Sequence, residues 1–498
     1  MSAIVDSSKR MMRFHTLLEK AQFEFKQYQF DGVQWCLNNE LKLGSGTGSG
    51  TGSGTGSGTG GIIADEMGLG KTIMMIGIMY VNFLPRTLIV VPPVLIQQWF
   101  HEIYHASGHK ALLYYGNQKK SISQHDVNQA RIVLTTYNTL LPDDCLLKNV
   151  TWNRVIFDEA HHLRNSKTKR YIACKQIKAR IRWLVTGTPV QNKKQDFYSL
   201  CSMAGLISGS TSNRLLDLEH MRMIAMNHVL RRTKAQVGIH LPSVNKTSCV
   251  VEWQNKQEMM LSEEIHSLLP NQTGVSDSKR RKLADDFGSM GMLVAILRAR
   301  QSCVLPKLMR KHIELFCNLN IGTNNMTNSE YLNALDSSSK IDAVVKFILE
   351  RKDNGKGKIV FCHYQSELDT IAQKLLDGGL TKVVKYDGRN SGGKNLATVA
   401  GPADALVIQI QSGCEGLNLQ HNFSEIYFVS PHWNPCVEDQ AIARCHRIGQ
   451  TKPVDVFKFE MRGFKKDNTS ELDPITLEKY VNKVQDLKRD ISKQLLHV

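Results

Sequence analysis

The stretch GIIADEMGLGKTIMMIGIM, residues 61–79, joins a short apolar run to a glycine-rich turn and then to a segment with helical character. This order predicts a strand, a loop and a helix whose positive amino-terminal end faces the loop. Gly68 and Gly70 would let backbone N–H groups close around phosphate oxygens, Lys71 would reach the outer phosphates, and the Thr72 hydroxyl would bind magnesium. Because Asp65 stands at the first glycine position of the GxxxxGK[ST] pattern, a glycine turn capping a buried strand is the alternative.

The composition is typical of a soluble globular chain of roughly three domains, with 498 residues, 42% of them hydrophobic and 22% charged. No apolar run reaches the ~18 residues that a membrane span requires, and the start MSAIVDSSKR lacks the apolar region of a secretion signal. The 11 cysteines include no CxxC pair. We therefore expect reduced thiols, no zinc and no membrane association.

The chain is strongly basic, with a formal net charge of +17 and a pI near 9.3. Such a charge favours a polyanionic partner such as a nucleic acid. Many soluble proteins are equally basic, so an ordinary solvated surface is the alternative.

Short β-branched runs alternate with helical stretches after Gly61, a pattern that predicts an α/β fold whose parallel sheets are covered on both faces. Two clusters of such runs, on either side of residues 246–338, indicate two lobes. The runs are Thr87–Val91, Val155–Phe157, Trp183–Val185, Ile359–Phe361, Leu406–Ile410, Ile426–Val429 and Val454–Phe459.

The predicted domains follow this division. Residues 1–43 form a helical segment, 44–60 a flexible Gly/Ser/Thr repeat, 61–245 the first lobe, 246–338 a helical insertion, 339–473 the second lobe and 474–498 a final helix. Within the insertion, SKRRK (Ser278–Lys282) is a nuclear import signal, a phosphate-contacting loop or a plain solvated loop. The final helix would pack on the second lobe, with partner binding as the alternative.

Polar motifs follow several of the predicted strands, at the position where open α/β sheets bind their ligands. DEAH (Asp158–His161) offers Asp158 to a magnesium ion and Glu159 to the attacking water. TGTPVQN supplies small hydroxyl residues in a turn that would sense phosphate, or else a simple capped turn. Near the amino terminus, Gln29 has a donor and an acceptor with which to pair an adenine, although a surface glutamine is the alternative.

The second half carries QSGCEGLNLQ (411–420) after one predicted strand and HWNPCVEDQAIARCHRIGQ (432–450) after another. Gln440, Arg444 and Arg447 would share one face if their segment is helical. Two arginines on one face are typical of arginine fingers. A surface salt-bridge face is the alternative.

In this order the motifs resemble the Swi/Snf family of superfamily-two helicase-like ATPases, over the chain from Tyr28 to about Phe459. The segments that carry the resemblance are YQ (28–29), DEMGLGKT (65–72), LIVVPPVLIQQW (88–99), TTYNTL (135–140), DEAHHLRN (158–165), LVTGTPVQN (184–192), LRRTK (230–234), GCEGLNLQ (413–420) and WNP…EDQAIARCHRIGQ (433–450).

The resemblance implies two RecA-like lobes that use ATP and Mg²⁺ and translocate on double-stranded DNA without unwinding it, displacing or remodelling bound proteins. By the resemblance Gln29 reads adenine, Arg444 and Arg447 are the fingers, and Gln440 lies beside them. The residues implied in coupling to DNA are Thr186, Gly187, Thr188, Gly413, Glu415, Gly416, Asn418 and Trp433.

The resemblance has limits. Only Cys249, Cys303 and Cys317 lie between Thr233 and Ser339, so the RING zinc insertion of some relatives is not expected. The stretch after Asp387 also matches the family poorly. The competing hypotheses are a DEAH-type RNA or DNA helicase and a nucleic-acid-binding scaffold that does not hydrolyse ATP. The expected setting is the nucleus, in chromatin remodelling, transcription or repair, or a cytoplasmic replication site if the chain is viral.

Overall fold

The computed structural model describes residues 2–41, 60–190, 193–207, 218–267, 269, 289–311, 313, 326–387, 401–413, 417–464 and 476–496. They belong to two compact units, Met1–His240 with Lys488–Val498, and Leu241–Leu487. Residues 44–59 of the Gly/Ser/Thr repeat, SKRRK, Glu415 and Gly416 lie outside the described residues. Within the described ranges, no helix combines the length and apolar content needed to span a bilayer.

A seven-stranded sheet forms the centre of the first unit, with the order β3-β4-β2-β5-β6-β1-β7. Every recorded strand pair in it is parallel. The strands are β1 (Gly61–Ile63), β2 (Thr87–Val91), β3 (Leu112–Tyr114), β4 (Ile132–Thr136), β5 (Thr151–Asp158), β6 (Lys178–Val185) and β7 (Val229–Leu230).

Two apolar layers cover the faces of this sheet, because successive residues of each strand point to opposite sides. Leu88 and Val90 of β2 lie in one layer, and Ile89 and Val91 lie in the other. The first unit's helices are α1 (Ser2–Lys20), α2 (Gln27–Leu41), α3 (Lys71–Val81), α4 (Ile96–Ser107), α5 (Gln124–Gln129), α6 (Lys169–Lys175), α7 (Lys194–Ala204) and α8 (Leu218–His228).

A six-stranded sheet forms the centre of the second unit, in the order β10-β11-β9-β12-β13-β8. Its recorded pairs are also parallel. The strands are β8 (Val244–Val251), β9 (Gly357–Cys362), β10 (Val383–Tyr386), β11 (Ala405–Gln409), β12 (Phe423–Phe428) and β13 (Val454–Met461). The predicted α/β class with two parallel sheets is therefore confirmed.

Helices of the second unit cover this sheet and form a separate apolar cluster of their own. They are Lys256–Ser267, Ser289–Val304, Asn328–Asp336, Ser339–Leu349, Gln365–Asp377, Ile410–Gly413 and Pro435–Ile442. The last helix, Leu477–Leu496, extends across the boundary between the two units. Short 3-10 turns occur at Pro93–Leu95, Gln118–Ser121, Tyr137–Leu140, Leu146–Asn149, Ala160–Leu163 and Pro306–Met309.

The strand β8 crosses the predicted boundary between the first lobe and the helical insertion. It pairs with β13 from Val244 to Val251 and therefore belongs to the second sheet. Most of its side chains are exposed or half-buried, which is why no apolar run marks it in the sequence. The helices that the structure describes in the insertion, Lys256–Ser267, Ser289–Val304 and Asn328–Asp336, come after it in the chain.

Candidate functional site

Three neighbouring strands of the first sheet, β5, β6 and β1, bring three of the predicted motifs together at their carboxyl ends. The glycine loop follows β1, Asp158 ends β5, and Thr186 follows β6. The Thr186 N–H donates to the carbonyl of Ile63 at 2.9 Å, which holds the third motif against the strand that enters the loop. Parallel strands thus place the loop, the acidic motif and the TGT turn together.

The glycine loop has the backbone that its sequence predicts. Gly68 and Gly70 have φ values of 89° and 77°, a left-handed conformation that favours glycine. Gly70 precedes α3, which begins at Lys71. The Lys71 ammonium donates to the carbonyls of Asp65 at 2.9 Å and Glu66 at 3.4 Å, so its charge lies inside the loop, where the outer phosphates of a nucleotide would be bound.

Gln29 lies directly against this loop and is only 7% exposed. Its Nε2 donates to the carbonyl of Leu69 at 3.2 Å. A Cβ added to Gly70 would lie 2.4 Å from the same nitrogen. The predicted adenine-reading amide and the predicted phosphate loop are therefore in contact.

Asp158 is a buried carboxylate at the end of β5, 7% exposed. Its Oδ2 accepts from Trp99 Nε1 at 2.7 Å and its Oδ1 from the Glu159 N–H at 2.9 Å, while Tyr137 donates to its carbonyl at 2.6 Å. Burial raises the pKa of the Asp158 carboxyl to about 7, the charge of Glu159 adds to the increase, and the Trp99 hydrogen bond and the charge of Lys71 oppose it.

Glu159 has a φ of 48°, in the left-handed region that a side chain seldom adopts. This conformation turns the chain from β5 into the 3-10 turn Ala160–Leu163. The Glu159 carboxylate lies 3.2 Å from His161 Nδ1. A strained backbone at the end of a strand is common at functional sites.

The turn after β6 lies against Lys71. Thr186 is fully buried, and its hydroxyl accepts from the Thr188 N–H at 3.2 Å. A Cβ added to Gly187 would lie 3.0 Å from Met67 Cγ and 3.6 Å from Lys71 Nζ. A shift of the Lys71 side chain would therefore change its contacts with this turn.

A buried ion pair explains Asp65, the residue that departs from the common loop pattern. Arg232 donates to the Asp65 carboxylate from Nη2 at 2.5 Å and from Nε at 3.1 Å, and the Arg232 N–H donates to it at 2.9 Å. Lys234 pairs with the neighbouring Glu66 at 2.9 Å. The segment LRRTK thus holds the loop in place.

Arg232 and Trp99 are site residues that reasoning from the sequence missed. Both lie within segments that carry the family resemblance, LRRTK and LIVVPPVLIQQW. The unusual Asp65 was the available signal for the first, because a carboxylate directly after a buried strand needs a cationic partner.

The oxygen ligands at the carboxyl ends of these strands fit a magnesium ion. Mg²⁺ prefers carboxylate and hydroxyl oxygens, and the first unit offers the Asp158 carboxylate and the Thr72 hydroxyl beside the loop lysine. A buried carboxylate whose pKa is raised by desolvation is one that a nearby cation would return to its charged form.

Gln440, Arg444 and Arg447 of the second unit do not share one helical face, because the helix Pro435–Ile442 ends before the arginines. The Arg444 carbonyl instead accepts from the Leu419 N–H at 3.0 Å. The Gln440 side chain is 4% exposed, and its Nε2 and the Nε of Arg444 have no hydrogen-bond partner within the described ranges.

The other predicted coupling residues of the second unit differ in surroundings. Gly413 ends the helix Ile410–Gly413, and the Asn418 side chain accepts a hydrogen bond from Arg447. The Trp433 ring lies edge-on to Tyr480, with centroids 6.4 Å apart, and packs on the helical cluster of that unit. These contacts give Trp433 a packing role, and its role in coupling to DNA stays a prediction.

Comparison with known protein families gives two matches along the chain. Residues 28–308 match the family model of the SNF2-related domain. Residues 339–449 match that of the helicase conserved C-terminal domain.

Over the aligned segments, curated relatives are about a quarter identical to the chain. An uncharacterized ATP-dependent helicase of Mycoplasma genitalium is 27% identical over 97% of this chain and 43% of its own length. The chromatin structure-remodeling complex protein SYD of Arabidopsis thaliana is 26% identical over 88% of this chain and 12% of its own length. A probable global transactivator of Orgyia pseudotsugata multicapsid polyhedrosis virus is 26% identical over 80% of this chain and 81% of its own length.

The chain thus spans less than half of the first two of these relatives. Among solved structures, the Sulfolobus solfataricus SWI2/SNF2 ATPase core in complex with dsDNA is similar with 25% identity and a TM-score of 0.39. That similarity covers 95% of this chain and 93% of the other.

Proposed function

Because the chain belongs to the SNF2-related family of helicase-like ATPases, we propose that it hydrolyses ATP with Mg²⁺ and uses the energy to move along double-stranded DNA. In this proposal the motion displaces or remodels DNA-bound proteins and does not separate the strands. The observation that supports the proposal is the placement of Lys71, Asp158 and Glu159 at the carboxyl ends of neighbouring parallel strands. That is where α/β proteins bind their ligands.

Each side chain of this site has a proposed role. Gln29 binds adenine, and Lys71 and the N–H groups of the glycine loop bind the phosphates. Thr72 and Asp158 hold the magnesium ion, which when bound neutralises charge on the phosphates. Glu159 orients the attacking water and accepts its proton.

Arg444 and Arg447 are proposed as arginine fingers, with Gln440 beside them. Among the residues that the structure describes, the buried Nε of Arg444 and Nε2 of Gln440 have no hydrogen-bond partner, which supports this role because buried donors normally find an acceptor. Replacing Arg447 with alanine should lower turnover by ~10³–10⁵-fold, as the loss of a finger does in other phosphoryl-transfer enzymes. Unchanged DNA-stimulated turnover would contradict the assignment.

Coupling to DNA is proposed for the turn Thr186–Thr188 and for residues 413–418 with Trp433. The net charge of +17 supports binding mainly to phosphates, which tolerates sequence and weakens steeply with salt. The chromatin-remodelling protein among the relatives supports a nuclear setting in chromatin remodelling, with transcription and repair as further proposals. The baculovirus relative supports a viral replication site as the alternative.

The test is ATP turnover with duplex DNA, single-stranded DNA, RNA or no nucleic acid. We expect duplex DNA to stimulate turnover most, and Lys71→Ala to abolish it. Lys178→Ala is the matched control, because Lys178 is an exposed lysine at the start of β6 and should leave turnover unchanged. Selective stimulation by RNA would support the DEAH-helicase hypothesis, and tight DNA binding without hydrolysis would support the scaffold.

A further inference from the structure

Two neighbouring helices hold the two parts of the proposed nucleotide site. Gln29 lies near the start of α2, and Lys71 begins α3. The helices are in close contact, since a Cβ on Gly32 would lie 2.5 Å from Met74 Sδ and a Cβ on Gly77 would lie 2.9 Å from Val33 Cγ2. The contacts advance along both helices together, so α2 and α3 run in the same direction.

The far ends of the two helices meet at a buried carboxylate, Glu40, which is 2% exposed. Asn82, the residue that follows α3, donates to Glu40 Oε2 at 2.6 Å. Asn82 Oδ1 in turn accepts from Arg10 of α1 at 3.0 Å. One carboxylate thus joins the carboxyl ends of α2 and α3.

The same carboxylate attaches both helices to the sheet. Arg154, a fully buried residue of β5, donates to Glu40 from Nε at 2.7 Å and from Nη2 at 2.5 Å. Trp183 of β6 donates from Nε1 at 2.8 Å. Arg154 also donates to the Asn82 carbonyl at 2.9 Å. A two-pronged charged contact of this kind fixes direction as well as distance.

These contacts form one group, the Glu40 cluster, defined here as Glu40, Asn82, Arg154 and Trp183. The amino-terminal end of α2 is held separately, since Arg232 donates to the Tyr28 carbonyl. The position of α2 on α3 and on the sheet therefore depends on the helix contacts, on Arg232 and, at its carboxyl end, on the Glu40 cluster.

We propose that Glu40 is a positioning residue for base recognition, which sets where Gln29 lies relative to the phosphate loop. The inference rests on the proposed ATP site. Because the Gln29 amide already touches the loop, a small shift of α2 would move it out of register with a base whose phosphates are held at Lys71. Misplacement by about 1 Å is enough to cost a large part of such recognition.

The test is the ratio of the dissociation constants for ATP and GTP, measured by calorimetry on the full chain. Gln29→Ala should reduce the preference for ATP at least about tenfold. Glu40→Gln should reduce it to a similar extent, and Asn82→Ala, which leaves the Arg154 pair in place, by a smaller factor. If Glu40→Gln does not fold, Asn82→Ala decides the outcome.

Trp152→Phe is the matched control for lost stability. Trp152 is fully buried in the other apolar layer of the sheet and donates to the Leu147 carbonyl at 3.0 Å. A variant that is merely less stable loses affinity for both nucleotides equally and keeps the ratio, which we expect of Trp152→Phe.

Two results would overturn the inference. A preference for ATP that falls in Gln29→Ala but not in Glu40→Gln or Asn82→Ala would remove the role of Glu40 and leave the proposed site intact. An unchanged preference in Gln29→Ala would remove the adenine assignment, and the inference with it. Because the measurement is of binding, a failure of DNA-stimulated hydrolysis would be seen separately.

Discussion

Arg232 binds the buried carboxylate of Asp65 through two side-chain nitrogens, although the two residues are 167 positions apart in the chain. Removing one partner of a buried pair leaves an uncompensated charge. We expect Arg232→Met to lower the free energy of unfolding by about 3–5 kcal/mol, measured by urea denaturation.

The comparison for this prediction is an exposed pair, Arg462 with Glu252, whose side chains are 45% and 64% exposed. Arg462→Met should change stability by less than about 1 kcal/mol. Adding Asp65→Asn to Arg232→Met should recover part of the loss, because it removes the unpaired charge. Strictly additive effects of the two changes would contradict the proposed coupling.

Trp99 orients Asp158 through the 2.7 Å hydrogen bond from its Nε1. Phenylalanine keeps the aromatic body and removes only the donor. Since partners of a metal-binding carboxylate contribute to its affinity, we expect Trp99→Phe to raise the Mg²⁺ concentration needed for half-maximal ATP turnover by about 10–100-fold.

Trp152→Phe is again the matched substitution, because its indole also donates to one acceptor inside the first unit. It should leave the Mg²⁺ requirement unchanged. If the two variants need the same Mg²⁺ concentration, Trp99 has no influence on the metal site.

Alanine substitutions at Gly70 and Gly108 can distinguish the effect of backbone strain from the effect of contact with the Gln29 amide. Their φ values are similar, 77° and 72°, but only a Cβ at Gly70 would meet another atom within 4 Å, the Nε2 of Gln29 at 2.4 Å. Alanine at either position should cost about 1–2 kcal/mol through strain. Only Gly70→Ala should also raise the KM for ATP, and equal KM values would show that the contact is unimportant.

The sequence pattern predicted the parts of the fold whose signals are local. The apolar runs Thr87–Val91 and Val454–Phe459 are strands, and residues 1–43, predicted to be helical, contain α1 and α2. Near-continuous burial makes such strands visible, whereas β8 and β10 lie at the edges of their sheet and carry few fully buried side chains.

The remaining features depend on residues that are distant in sequence. Glu40 and Arg154 are 114 positions apart, and no periodicity in one sequence links them. The final helix is also instructive, because Tyr480 and Leu487 are 48% and 64% exposed, whereas Leu477 and Val481 are buried. Only the packing partners decide which side of an amphipathic helix is covered.

His266 should make the second unit sensitive to acid. Its Nε2 accepts from the Leu477 N–H at 2.9 Å and its Nδ1 lies 2.7 Å from the Ser262 carbonyl, so the neutral ring with the proton on Nδ1 satisfies both. Burial lowers the pKa of His266 to about 4.

The unfolded chain therefore takes up a proton between about pH 6.5 and pH 4 that the folded chain does not, and stability falls as the pH decreases through this range. The loss assigned to His266 is about 3 kcal/mol at the acid end. In urea denaturation at several pH values, His266→Gln should flatten the dependence, while His125→Gln, at an exposed position, should not. An unchanged slope in His266→Gln would contradict the prediction.

Displacement of a third DNA strand from a duplex is the measurement that tests the central claim most directly, because only a protein that moves along the duplex removes it. We expect ATP-dependent displacement by the wild-type chain, none by Lys71→Ala, and no separation of the two duplex strands. Hydrolysis of ATP on duplex DNA without displacement, or separation of the duplex strands themselves, would contradict the proposed translocation.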